Sequence, residues 1–319
     1  PDDETSLAAL DRLYAKSESW NDLAEVLDRR AQMENDPIQR NEFLIRLGAL
    51  RWEQFGNTAL AFEAFRDVLD RDPSEPRALT AMEGLLADER LASDVVNVLD
   101  VAYRTTGSTA KSASLYDVRI RLADSDGERV RLLSELAQLR ENELGDAAGA
   151  LTVVVRAYEL DPRDETLLGE VERLAGASSK FDLLRGLAEK VAEGDALDAT
   201  SKRDLFMRAA SWYRDRLGDR ESAERVLLSA LVADREHTEA HDQLIELRRE
   251  PGREESLVAS LMTAAEVDLD ETKRVERLLE AARLAESTRG DSATARRAFE
   301  LILDRDPAHA GALDELIRL

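Results

Sequence analysis

The pentapeptide HTEAH, residues 237–241, places two imidazoles at i, i+4, a spacing that sets a pair of Zn²⁺ ligands on one face of a helix. Register argues for another role. His241 stands at the offset filled elsewhere by Leu7, Leu79, Leu168 and Leu313, while His237 and His309 share a helix-start position with Asp3, Glu75 and Asp164. Both residues of the pentapeptide are therefore read as structural or surface residues, and no metal or other cofactor is expected. The 67 Asp and Glu residues could supply acid–base pairs anywhere, but on helical surfaces such carboxylates are solvated and paired with Arg at i, i+3 or i+4. There is no GxxxxGK[ST], dinucleotide fingerprint, GxSxG or HExxH. With no cysteine, disulfides, thiolate nucleophiles and Cys-ligated metals are excluded, which fits a reducing cytoplasm. The chain is read as a non-enzyme.

Charge narrows the partner. Only 44 Lys and Arg oppose the 67 acids, for a formal charge of −23 and a pI near 4.6. Counterion release from nucleic acid, or attraction to an anionic membrane, needs the opposite sign. A protein or peptide with a basic or mixed apolar and basic surface is expected instead. No apolar run approaches the roughly 18–20 residues of a membrane helix, the longest being pieces such as LTVVV at 151–155, and no signal-peptide pattern opens the sequence. A cytoplasmic protein is expected, and the preponderance of Arg over Lys fits a GC-rich bacterial source.

The elements that carry these residues must be helical. Charged residues are 35% and aromatics 5%, the balance of exposed helices. The stretch NTALAFEAFRDVLDRDPSEPRAL, residues 57–79, returns as DSATARRAFELILDRDPAHAGAL, residues 291–313, with eleven identities in twenty-three. The glycine before each copy has two further counterparts, Gly56, Gly145, Gly218 and Gly290, spaced by 89, 73 and 72 residues. Small residues recur at fixed offsets, Gly48/Ala137/Ala210/Ala282 and Ala61/Ala150/Ala223/Ala295, with Phe65/Val154/Leu227/Phe299 four residues further on. An Asp at 72, 161, 234 or 306 follows, next to Pro73, Pro162, Arg235 or Pro307, and Pro1 completes the set. The whole sequence is thus one array of long units, 1–72, 73–161, 162–234 and 235–306, with a truncated unit at 307–319; it reads as a segment of a longer array.

Tiny side chains let two antiparallel helices approach, with the larger residue filling the groove beside them. The glycine supplies a left-handed helix end and Asp-Pro stops the second helix. Asp36, Asp126, Asp198 and Asp270 are expected N-caps of the first helices, with Pro37 at N1. A second hairpin in each unit keeps apolar spacing, as in Leu7-Leu10-Leu13 then Trp20-Leu23-Leu27, and Leu168-Val171-Leu174 then Phe181-Leu184. The 89-residue spacing marks an insertion between Ala92 and Ser125, long enough for one more helix joined through the weakly helical run at 104–114. An additional packed helix and a long loop with an outward-packed helix both fit it. This segment is also the expected weak seam.

The pattern resembles the tetratricopeptide repeat in four hairpins, residues 40–73, 129–162, 202–235 and 274–307, with a first helix one residue longer than usual and Arg235 in place of proline. The resemblance implies an all-α solenoid of about 18 antiparallel helices in a right-handed superhelix, broken near 92–125, whose concave face is lined by the first helices and binds a peptide or protein. On those helices the columns Glu42/Arg131/Asp204/Glu276, Ile45/Ser134/Met207/Leu279, Ala49/Gln138/Ser211/Arg283 and Trp52/Glu141/Arg214/Glu286 change chemistry from unit to unit. Such variation fits a binding groove, and it fits an unconstrained solvent face equally. The candidate partner-binding residues are Glu42, Ile45, Trp52, Arg131, Gln138, Glu141, Met207, Ser211, Arg214 and Arg283. Trp52 has the profile of an anchor, or else packs against a neighbouring hairpin. The function expected is a non-enzymatic interaction scaffold; the alternative is a spacer or polymerising array that self-associates through its truncated ends.

Overall fold

The computed structural model describes residues 3–319, except the side chains of Thr288 and Arg289; Pro1 lies outside the described residues. Every regular element among them is helical. In order these are α1 (Glu4–Ser17), α2 (Trp20–Met33), α3 (Pro37–Glu53), α4 (Thr58–Leu69), α5 (Pro76–Leu85), α6 (Ala92–Thr105), α7 (Thr109–Leu122), α8 (Asp126–Asn142) and α9 (Ala147–Leu160). There follow α10 (Glu165–Ser178), a 3₁₀ turn (Phe181–Leu184), α11 (Leu187–Glu193) and α12 (Ala199–Ser211), which runs on as a π-turn (Trp212–Arg216). The last are α13 (Arg220–Ala233), α14 (Thr238–Arg248), α15 (Glu254–Val267), α16 (Glu271–Arg289), α17 (Ser292–Leu303) and α18 (Ala310–Arg318). The molecule divides into two compact units: the first runs to Asp161 and adds Thr166–Leu174, and the second takes Pro162–Glu165 and Ala175–Leu319.

The repeated columns make the hairpins α3–α4, α8–α9, α12–α13 and α16–α17. Ala61, Ala150, Ala223 and Ala295 have no exposed surface, and Phe65, Val154, Leu227 and Phe299 are buried beside them. At Gly48 even a methyl group is excluded, since a Cβ there would come within 2.6 Å of Phe65 Cε1. All four turn glycines take the left-handed conformation, with φ of 61°, 65°, 64° and 62°.

Helix starts follow the expected chemistry with one correction. Asp36, Asp198 and Asp270 accept from the N–H groups of Ile38, Ser201 and Thr272 at 3.1, 2.8 and 2.9 Å. Asp126 does not cap: Ser125 before it takes the Glu128 N–H at 3.2 Å, leaving Asp126 as the first helical residue. A second row of caps also forms, at the residue after each turn glycine: Asn57, Asp146, Asp219 and Asp291 accept from Leu60, Gly149, Ser222 and Thr294. Its sequence signal is plain, because Asn or Asp recurs there in every copy.

The irregular hairpins differ from expectation in two places. Between α6 and α8 the insertion folds as a full packed helix, α7, and the break in the run at 104–114 is confined to Thr106, Gly107 and Ser108. Conversely, the hairpin begun by α10 lacks a continuous second helix. Phe181–Leu184 forms a 3₁₀ turn, Gly186 sits at φ 75°, and α11 is seven residues long. Gly186 favours this left-handed break locally, and its N–H donates to the Tyr213 hydroxyl at 2.8 Å; Tyr213 lies in the π-turn that ends the α12 segment.

Ion pairs brace the packed helices. Asp11, 4% exposed, receives Arg30 at 2.5 Å and Arg46 at 2.6 Å. Burial would raise its carboxyl, but the hydrogen bonds and charges of Arg46 and Arg30 outweigh that and hold it below the ordinary range. Glu224 repeats the arrangement between Arg248 and Arg253, again with burial overcome by its two arginines.

Candidate partner-binding surface

The variable columns of the first helices resolve into three kinds of position. One is core. Ile45 is 8% exposed and belongs to the apolar cluster of the first unit, so it offers no groove surface; a long aliphatic at that register turns inward. Met207, at the same register, is partly buried, and Ser211 is likewise half-buried with its hydroxyl donating back to the Arg208 carbonyl at 2.7 Å.

The second kind is an interface between hairpins. Four residues before each turn glycine stand Trp52, Glu141, Arg214 and Glu286; twenty-eight after it stand Gly84, Arg173, Glu246 and Arg318. Glu141 and Arg173 form a two-pronged ion pair at 2.8 and 2.6 Å, and Glu286 and Arg318 form another at 2.7 and 2.5 Å. Where the column is Trp52, the facing residue is Gly84, and a Cβ there would lie 2.5 Å from Trp52 Cη2. In the third copy the charges are reversed, Arg214 against Glu246. Here the π-turn alters the register, and the Arg214 guanidinium instead meets Asp215 at 2.7 Å and Gln243, one turn earlier on α14, at 3.2 Å. The change of chemistry along this column is therefore matched by a change in the helix it faces. Glu42 is spent similarly on Arg77 of α5, at 2.7 Å. Arg173's hydrogen bonds hold the Glu141 carboxyl below its usual range.

The third kind is free surface: Arg131, Gln138 and Arg283 are exposed. Arg131 and Gln138 share a wall of a cleft that exists because of α7. That helix packs against both α6 and α8, and a polar recess opens at each of its ends. The larger, about 480 Å³, is lined by Arg104 from α6, Thr109, Ser112 and Tyr116 from α7, and Glu135, Gln138 and Asn142 from α8. The other, about 330 Å³, includes Asn97, Arg119 and Arg131 and shares Glu135 with the first. Asp100 ties the two ends, pairing with Arg104 at 3.0 Å and Arg119 at 3.1 Å. Glu135 is held by Arg131 at 2.5 Å and accepts from the Tyr116 hydroxyl at 3.4 Å. The α6 and α7 members of this constellation do not emerge from the sequence. The small residues of TGSTAKSAS are the available signal, and local propensity reports their weak helicity, not the hollow they leave.

The histidines are structural. His237 and His309 accept, through Nδ1, the N–H groups of Ala240 and Ala312 at the starts of α14 and α18. His241 is 2% exposed with Nε2 2.9 Å from the Arg235 carbonyl. Among the described residues no group of three or more His, Asp or Glu is placed to hold a metal ion, and no helix is long and apolar enough to cross a membrane.

No family model matches the sequence, and no curated protein matches it. Among solved structures, the C-terminal part of a TPR repeat-containing protein from Cytophaga hutchinsonii is 14% identical, over 80% of this chain and 99% of that one, with a TM-score of 0.32. YrrB, a TPR protein with an unusual peptide-binding site, is 17% identical over 58% and 90%, with a TM-score of 0.31. A tetratricopeptide repeat protein from Parabacteroides merdae is 14% identical over 88% and 98%, with a TM-score of 0.25. These superpositions are loose, and the fold stands on the protein's own hairpins: it is an all-α array of tetratricopeptide-like helix pairs.

Proposed function

We propose that the protein is a non-enzymatic scaffold that binds a protein or peptide partner through exposed positions of its first helices and the cleft beside them. One observation carries the reading. The repeated framework is buried, while Arg131, Gln138 and Arg283 are exposed at registers whose chemistry changes from unit to unit. With a formal charge of −23, the partner is a basic or mixed basic and apolar surface, met in the cytoplasm. Self-association is the second reading, favoured by α18, whose Ile317 is 84% and Leu313 40% exposed. The test is capture of partners from a cell extract by the parent protein and by its Met207→Ala, Glu276→Arg variant, which removes an apolar contact and reverses an exposed acid of the first helices, with sedimentation of both. The scaffold reading expects a monomeric parent and a basic partner that the variant releases. An acidic partner, capture indifferent to the substitutions, or a parent that polymerises by itself would refute it.

A further inference from the structure

We infer that the break at 181–186 and the π-turn at 212–216 form one two-position switch, whose second position is a continuous helix over 181–193 with an Arg214–Glu246 ion pair closed. The repeat register is the first ground. Nineteen residues after Pro1, Pro73 and Arg235 the other copies start α2, α6 and α15, and each of these helices is 14 residues long. Nineteen residues after Pro162 stands Phe181, and in this copy the helix is broken. The sequence still encodes the unbroken form. Leu184, Leu187, Ala188 and Val191 are buried and stand at i, i+3, i+4 and i+7, the spacing of one helix face. The weak helix former is Gly186, at a register where the other copies carry Glu25, Asn97 and Ala259. A Cβ at Gly186 would meet nothing within 4 Å, so its φ of 75°, and not crowding, calls for glycine.

Four contacts tie the break to the π-turn. The Gly186 N–H donates to the Tyr213 hydroxyl at 2.8 Å. Arg185 lies over the Tyr213 ring, 5.9 Å from its centroid, and pairs at 2.5 Å with Asp219, whose carboxylate also caps α13. Arg216 lies 5.4 Å from the centroid of the Phe181 ring. Turning Gly186 to the right-handed conformation sends its N–H to the Asp182 carbonyl, four residues back, so the bond to Tyr213 is exchanged for a helical one.

The π-turn has a second arrangement of its own. In the copies where this helix end is α-helical, residues 32 apart close an ion pair, Glu141 with Arg173 and Glu286 with Arg318. Arg214 and Glu246 are also 32 apart and of opposite charge. With the wider π-turn the Arg214 guanidinium meets Asp215 and Gln243, and Glu246 turns to Arg249 at 3.4 Å. Relaxing 212–216 to an α-helix restores the register at which the pair closes. Each position thus holds contacts that the other gives up, as two arrangements close in free energy must. A ligand that prefers one position of Arg214 moves the switch by its difference in affinity.

The test uses the 319-residue protein and two substitutions. Gly186→Ala disfavours positive φ, and Tyr213→Phe removes the hydroxyl while keeping the ring. In each variant hydrogen exchange slows at 183–188 and also at 214–217. The coupling between Arg214→Ala and Glu246→Ala, read from urea melts, rises from none in the parent to about two- to fivefold in the unfolding equilibrium constant, the size of a partly solvated ion pair. A Gly186 that serves only as a fixed turn gives the opposite result: lower stability, faster exchange at 183–188 and no change at 214–217. That result, a Gly186→Ala protein that does not fold, a response confined to the substituted segment, or a coupling equal in parent and variants overturns the proposal.

Discussion

At the scale of single residues, variation in a repeat protein has two physical sources that look alike in one sequence. A position varies because it meets a changing ligand, or because it meets a neighbouring hairpin that changes with it. The Trp52/Glu141/Arg214/Glu286 column belongs to the second kind, since Gly84, Arg173 and Arg318 answer three of its members with shape or charge and Arg214 meets Gln243 of α14. The pairing is testable by charge reversal. Glu141→Arg alone sets two guanidiniums together and should lower stability, by about 1 kcal/mol because both groups are partly solvated. Arg173→Glu added to it should regain most of that loss. Urea melts of the four proteins of the cycle read the coupling directly, and additive effects would show that the two side chains do not sense each other.

At the scale of elements, helix ends were legible because their chemistry is local. A glycine with positive φ, an Asp two or three residues before a free N–H, and a proline after the second helix each act within a few residues. What was not legible acts at a distance. The variability of its column points Ile45 toward a groove, although burial is decided by the apolar cluster it joins. The break at 181–186 has one local signal, Gly186 at positive φ, while its tie to the Tyr213 hydroxyl 27 residues away lies beyond local propensity. For the same reason the seam is now expected at 179–197 and not at the insertion. In α6, Val95 and Leu99 have no exposed surface, and α7 buries Ala113, Leu115 and Tyr116, whereas 179–197 combines a left-handed Ser179, a 3₁₀ turn and a seven-residue helix. Hydrogen exchange should therefore be faster across 179–197 than across 92–122, because short, interrupted helices open first. Equal protection in the two segments would return the seam to the insertion.

At the scale of the whole molecule, charge acts twice and with opposite sign. The ion pairs are short, such as Glu141 with Arg173 at 2.6 Å and Arg248 with Glu224 at 2.6 Å, and contacts of that length lie well inside a Debye length of about 8 Å at physiological salt. Salt weakens them little. The surplus of 67 acids over 44 bases acts over longer distances, between carboxylates that have no cation of their own. At about 0.01 M salt the Debye length is roughly 30 Å, so this repulsion spans many helices; at about 0.15 M most of it is screened. The midpoint of thermal unfolding at pH 7 should accordingly rise as sodium chloride goes from about 0.01 to 0.15 M. A midpoint that falls over that range would mean that the bridging arginines, and not the net charge, set the electrostatic balance of the fold.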